Sequence, residues 1–352
     1  MTEDGSNPPA TTTSVLPPAR GLWSGRAREV GLRLGGLAIA ILIVIVIFTL
    51  LSKNSTFLTV SNGLGILRGM STIAIVALGL TLVIVVGEID LSFGYMYGLA
   101  STLIAVSWIV WGWPLLLAIP LAFVAAIFVG SVNALLVAVA KIPSFIVTLG
   151  TGSLVYGSTL LVSNTATLNP QYPPPGKTVP AGEVDWFFGL SNQDLPGKFP
   201  MQGIWMVVVA IIIAFILSRS LFGFRLKAMG GNPVAAELAR LPITRYKFAA
   251  FIICSVLASV AAMLDFAFIG STQPNAGLSL LFPVFAAVII GGASLAGGRG
   301  TAIGTLSGAL LLAIISNGLA LLAAGAYLSQ FVLGSVTIAA VVLDRLTLRL
   351  RQ

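Results

Sequence analysis

The stretch Leu64–Val86, LGILRGMSTIAIVALGLTLVIVV, decides the fold. It carries one charge, Arg68, near its start, and between Ile73 and Val86 its only polar side chain is Thr81. As a helix rising about 1.5 Å per residue, such a run is long enough for a hydrocarbon core of about 30 Å. Backbone groups in hydrocarbon must find partners within the protein, so only helices and closed barrels cross it. A barrel strand would show about 10 residues of alternating polarity, which this run does not.

Reading outward from Leu64–Val86, nine more apolar runs give ten expected spans: 34–51, 64–86, 91–110, 115–137, 145–163, 203–218, 248–269, 280–296, 301–322 and 328–343. The eighth is short enough to be a half-helix or re-entrant element. Composition agrees. Of 352 residues, 57% are hydrophobic and 9% charged, with a mean hydropathy of +1.03, whereas a water-soluble domain carries about 25% charged residues. The solvent for most of this surface is lipid. The expected fold is all-α: a polytopic membrane protein of about ten transmembrane helices.

The net charge of +8 could suggest a nucleic-acid partner, but the positions of the basic residues give another reason. Ten spans put both termini on one side. That side then holds Arg20, Arg26, Arg28, Arg33, Lys141, Arg219, Arg225, Lys227, Arg240, Arg245, Lys247, Arg299, Arg345, Arg349 and Arg351. The other side holds Lys53, Lys177 and Lys198, with Arg68 at the outer end of the second span. Basic residues concentrate in cytoplasmic loops, so both termini are expected in the cytoplasm and no nucleic acid is implied. Residues 1–33, polar and rich in Thr, Pro and Arg, read as a disordered cytoplasmic tail. Residues 34–343 read as the transmembrane domain and 344–352 as a cytoplasmic C-terminal tail. The run Leu34–Leu51 is too long for a signal-peptide core and has no small-residue cleavage site after it, so it reads as a retained span.

Several chemistries are excluded. The chain has no histidine, which rules out a Ser-His-Asp triad and histidine-ligated zinc; no metal site and no cofactor are expected. Cys254 is the only cysteine, so no intrachain disulfide can form. There is no Gly-x-x-x-x-Gly-Lys-Ser/Thr loop, so nothing suggests that the chain binds a driving nucleotide itself. It reads as a transport subunit, not an enzyme.

Two soluble segments are long enough for recognition. The outer loop, about 164–202, contains Tyr172, Pro173 to Pro175, Asp185, Trp186 and Asp194, and its prolines argue against a long helix. The inner loop, 219–247, contains Gly230-Gly231-Asn232-Pro233-Val234-Ala235-Ala236-Glu237-Leu238-Ala239-Arg240. Asn232 is a good N-cap, Pro233 suits the first helical position, and Ala, Glu and Leu favour helix. A short cytoplasmic helix is expected there, with a small face at Ala235, Ala236 and Ala239 that allows close approach of another surface.

Several segments in order carry a family resemblance: Gly87-Glu88-Ile89-Asp90-Leu91-Ser92; Ile142-Pro143-Ser144 through Thr148-Leu149-Gly150; Ala228-Met229 leading into Gly230-Gly231-Asn232-Pro233; Gln273-Pro274-Asn275-Ala276-Gly277; Ala286 through Gly292; and Gly297-Gly298-Arg299-Gly300-Thr301. Over about 64–344 the chain resembles the ribose-type sugar permeases of ATP-binding-cassette importers. The resemblance implies a ten-helix subunit of the cytoplasmic (inner) membrane that works as a dimer, with a second copy or a paralogue. It also implies a separate ATPase on the cytoplasmic face and an extracytoplasmic substrate-binding protein. Gly231, Asn232, Pro233, Ala235 and Ala236 then belong to the coupling helix that seats in the ATPase. The implied function is translocation of a sugar or polyol by alternating access.

Four residues are candidates for the substrate path: Glu88, Asp90, Asn275 and Asp265. Glu88 and Asp90 fall between the second and third spans, where Asp90 or Ser92 could equally cap the third helix. Asp265 lies toward the outer end of the seventh span, where the family usually has an apolar residue. It could snorkel outward, pair with Arg68, or bind a substrate hydroxyl. Where relatives commonly carry Glu-Leu-Asp, this chain reads Leu281-Phe282-Pro283. The alternative function is an ion-coupled secondary transporter, which generally needs titratable groups near the midplane. The spans here are nearly uncharged.

Overall fold

The computed structural model describes residues 20–195 and 199–349, and the chain is helical almost throughout. The helices are α1 (Arg20–Leu51), α2 (Val60–Val85), α3 (Phe93–Ala105), α4 (Leu115–Ala134), α5 (Ser144–Ser163), α6 (Ala181–Asn192), α7 (Met201–Arg219), α8 (Leu221–Gly231), α9 (Pro233–Leu238), α10 (Ile243–Ile269), α11 (Leu281–Ile290), α12 (Ala302–Leu321) and α13 (Gly325–Arg349). Among the described residues, extended pairing is confined to Asp194–Leu195 antiparallel to Phe199–Pro200 and an isolated bridge between Leu168 and Thr272. Wider π-helical turns extend α3 over Val106–Val110 and α4 over Leu135–Val139.

Seven helices are long and apolar enough to cross a membrane, and three shorter apolar helices, Gly35–Leu51, Leu278–Ile290 and Tyr327–Ala339, fall where the other three spans are expected. The eighth is the most shortened, because the chain leaves α11 at Ile290 and turns through Gly291–Gly300. Gly297 and Gly298 in that turn hold φ of +84° and +76°, a region that residues with a Cβ reach only at a cost.

Two expectations need correction. Residues 20–33, expected as part of a disordered tail, are helix continuous with the first span. No proline lies between Pro18 and the first span, and extending an existing helix is far easier than nucleating one. Residues 1–19 of that expected tail lie outside the described residues. At the other end, residues 344–349 of the expected C-terminal tail are the last residues of α13; residues 350–352 lie outside the described residues. The outer loop, in spite of its prolines, contains the twelve-residue α6. None of the loop's prolines falls inside it, and Pro180 sits at its N-cap, where no intrahelical amide bond is lost.

α2 is the axis of the bundle, packed by α10, α12, α7 and α11. Of its most apolar window 89% is buried, against 28% for α5 and 33% for α4, which lie at the periphery. Small residues allow the close approach: a Cβ on Gly79 of α2 would lie 3.0 Å from the Cα of Cys254 on α10, and one on Gly130 of α4 2.8 Å from the Cα of Ile252. The hydroxyls of Thr81 and Thr305 link α2 to α12 at 2.7 Å. α6 lies across the end of α10, where Ser191 Oγ donates to the Leu264 carbonyl (2.6 Å) and Asn192 Nδ2 to the Ala267 carbonyl (2.8 Å). Phe187 packs edge-on between Trp108 and Phe266, at centroid distances of 5.4 and 5.0 Å.

Candidate functional site

The end of the bundle bearing the 87–92 and 219–247 segments is its basic end, with Arg219, Arg225, Lys227, Arg240, Arg245 and Lys247. There the segment after α2 is fastened to α5 and α10. Ser144 Oγ accepts from the Ile89 amide (3.1 Å) and Thr148 Oγ1 from the Leu91 amide (3.0 Å). Asp90 is fully buried. Its Oδ1 accepts from the amide (2.8 Å) and hydroxyl (2.6 Å) of Ser92. Asn133 Nδ2 donates to the same hydroxyl oxygen (2.8 Å), and Thr151 Oγ1 donates to Asn133 Oδ1 (2.6 Å). A chain of polar groups thus joins the loop to α4 and α5. Burial pushes the Asp90 carboxyl above the usual carboxylate range, and the Ser92 donors pull it partly back. Its Oδ2 has no hydrogen-bond partner among the described residues, and the buried Cys254 thiol lies alongside the carboxylate.

Ser92 is the N-cap residue of α3, but its side chain makes no capping bond. The local role anticipated for the pair falls to Asp90, which turns the chain into α3 by holding the Ser92 amide. Glu88, also in this loop, pairs with Lys247 at the start of α10. Both carboxylates therefore have structural partners within the chain.

The expected short helix is α9. Asn232 Oδ1 accepts from the Ala235 amide at 3.0 Å, and Pro233 occupies the first turn. Gly231, Asn232, Pro233 and Ala235 are exposed. Ala236, expected on the small outward face, is instead turned inward and 4% exposed, because this short helix folds back on α8. The outward face is made by Ala235, Ala239 and two large apolar side chains, Val234 and Leu238, which are 69% and 81% exposed. The unit is seated backbone to backbone. A Cβ on Gly230 would fall on the Val85 carbonyl, a Cβ on Gly297 would lie 2.6 Å from the Gly230 carbonyl oxygen, and the Gly298 amide donates to the Val85 carbonyl at 2.9 Å.

Asp265 stands apart from that end. Tyr97 of α3 donates its hydroxyl to Oδ2, and Thr72 of α2 donates to Oδ1 at 3.4 Å. Thr72 is half-way along α2, so Asp265 lies level with the middle of that central helix although it is near the end of its own. α6, resting on the Leu264 and Ala267 carbonyls, covers that end. Snorkelling to a nearby surface, anticipated as one outcome, is not what the side chain does; it bridges α2, α3 and α10. Arg68 lies over the Phe268 ring, 5.3 Å from its centroid.

Asn275 is exposed in the turn between α10 and α11. That turn folds deep against α3: Cβ atoms on Gly98 and Gly94 would lie 2.7 Å from the Pro274 carbonyl oxygen and 2.8 Å from that of Gly277. Pro283, part of the departure from the family pattern, is buried in the first turn of α11, where it costs no helical bond. Sequence reasoning did not pick out Tyr97, Thr72, Asn133 or Thr151. Ser144, Thr148 and Thr151 recur at helical spacing on one face of α5, a signal that could have marked the wall holding the 87–92 loop. Among the described residues, no three His, Cys, Asp or Glu side chains gather as a metal site would require.

A bundle of apolar helices with a half-buried carboxylate at mid-depth and a capped, apolar-faced helix at its basic end defines a membrane transport subunit. The chain belongs to the permease family described as "Branched-chain amino acid transport system / permease component", whose profile matches residues 62–341. It is similar to the ribose import permease of Escherichia coli (strain K12), 34% identical over 87% of this chain and 92% of that protein. The ribose import permease of Bacillus subtilis (strain 168) is 33% identical, over 88% and 92% respectively. The xylose transport system permease of E. coli (strain K12) is 29% identical, over 98% and 99%.

Proposed function

We propose that this chain is the membrane-spanning permease subunit of an ATP-binding-cassette importer, translocating a sugar or polyol by alternating access. The similarity to ribose and xylose permeases supports the substrate class. On this reading ten helices cross the cytoplasmic membrane with both termini inside. An ATPase docks at the basic end, a binding protein delivers substrate from the other side, and a second permease copy or paralogue completes the pore. Gly231, Asn232, Pro233, Ala235 and Ala236 form the coupling unit, the first four at its surface and Ala236 beneath it. Glu88 and Asp90 hold the inner loop, which leaves Asp265 and Asn275 as the candidates for the substrate path.

The observation that carries the ATPase reading is α9. A six-residue helix with two large apolar side chains exposed, seated backbone-to-backbone on the end of the central helix, is a surface prepared for a partner. Introducing charge there tests it. Leu238→Glu together with Val234→Glu should leave membrane insertion unchanged, while uptake and the permease-dependent stimulation of ATP hydrolysis fall together. Uptake that survives this change, and follows a proton or sodium gradient instead, would identify an ion-coupled transporter.

A further inference from the structure

Around Asp265 the outer half of α2 leaves an unfilled face. Gly65, Gly69 and Thr72 fall on one stripe of the helix, within about 60° of each other at 100° per residue. Nothing lies within 4 Å of where a Cβ on Gly65 or Gly69 would be. Thr72 is half-buried, as is Asp265 beside it. The same stripe closes directly below: Val76 is fully buried, and Gly79 is packed on Cys254 and Leu257. The open face therefore ends at the Thr72–Asp265 pair, and the space above that pair is called the groove. An acid facing hydrocarbon at this depth is strongly disfavoured, which favours a polar occupant for the groove over lipid.

The hydrogen bonds say what kind of polar group fits. A carboxylate offers about four acceptor sites. Tyr97 uses one on Oδ2 and Thr72 one on Oδ1. Each oxygen keeps acceptor capacity, so two donors on adjacent atoms can be received side by side. We infer that the groove of Gly65, Gly69, Thr72 and Asp265 is a solute-binding site within the permease, in which Asp265 accepts two vicinal hydroxyls of a sugar or polyol. This rests on the importer reading for the substrate class and for the side on which the groove opens.

Single cysteines at Gly65 and Gly69, each in a Cys254→Ala background, test the groove, with Ile211→Cys on the exposed face of α7 as the lipid-facing reference. In intact cells a membrane-impermeant thiol reagent should label the first two and not the third. Absence of labelling at both glycine positions would mean that this face meets lipid or another helix, and the site would fall. The labelling rate is then measured with D-ribose, D-xylose, xylitol and myo-inositol, and with spermidine and L-arginine as cationic probes. Slowing by at least one of the four polyols is the expected result. Slowing by the cations alone, or by none of the six, would overturn the diol assignment. Where a polyol protects, Asp265→Asn, which keeps one acceptor, should need about tenfold more of it for the same protection, and Asp265→Leu should abolish protection. Unchanged protection in the leucine variant would remove Asp265 from the site. Labelling and protection are read without ATP, so their failure is separable from a failure of the α9 substitutions to uncouple.

Discussion

Asp90 and Asp265 are two carboxylates inside the same apolar bundle, and they differ in how their surroundings are completed. Asp90 sits in a loop and is wrapped by its own chain: Ser92 donates twice, Asn133 and Thr151 extend the chain of bonds, and no surface is left exposed. Asp265 sits on a helix, half-buried, with one donor from each of two neighbouring helices and an open face beside it. An acid enclosed on every side organises a fold, whereas an acid beside open space is available to something that comes and goes. Position in the sequence suggests the reverse, since Asp90 stands in the more recognisable motif.

The comparison breaks most readily through paired substitutions. Asp90→Leu leaves the buried amide and hydroxyl of Ser92 without their acceptor, at about 1–3 kcal/mol for each unpaired group. The expected outcome is a large fall in the thermal midpoint of the purified permease, or its loss from the membrane. Asp265→Asn keeps an acceptor for Tyr97, so its midpoint should stay close to wild type while uptake at matched membrane levels falls about tenfold. If Asp265→Asn proved the more destabilising of the two and Asp90→Leu the one that spared stability but lost transport, the assignments would exchange. A smaller effect is expected from Thr151→Val, which removes the donor to Asn133 Oδ1. It should cost about 1 kcal/mol in stability with substrate affinity unchanged; a shift in affinity would draw the Asp90 network into the transport path. Smallest is Glu88→Gln. Its partner Lys247 is 21% exposed and Glu88 itself 14%, and pairs accessible to water contribute about 0.2–1 kcal/mol. The loss should shrink as salt is raised.

The membrane class and the positions of the helices were legible because hydropathy over twenty residues is a strong and local signal. Asn232 and Pro233 likewise announced α9, since capping depends on neighbours in the chain. What stayed hidden depends on which faces meet. Ala236 looks like its neighbour Ala235, and only the fold of α9 back on α8 turns one inward and leaves the other out. Asp265 reads as near a helix end by counting along α10, but its depth is set by its register against Thr72, 193 residues away. Tyr97 and Thr72 are ordinary in their own helices and become notable only by converging on that acid. The twelve residues of α6 escaped because proline content was averaged over the whole loop rather than read by position.

The joint between Val85, Gly230 and Gly297–Gly298 consists of main chain alone. A contact between side chains can absorb a displacement by changing rotamer, as a compliant spring does; this one has no such slack. Motion imposed on the α8–α9 unit must therefore reach the end of α2 with little attenuation. From Val85 to Thr72 the helix is a lever arm of about 20 Å at 1.5 Å per residue. A tilt of about 5° at the joint would displace the floor of the groove by roughly 2 Å, enough to break a hydrogen bond. Stiffness at one end of a rod is thus convertible into grip or release at its midpoint.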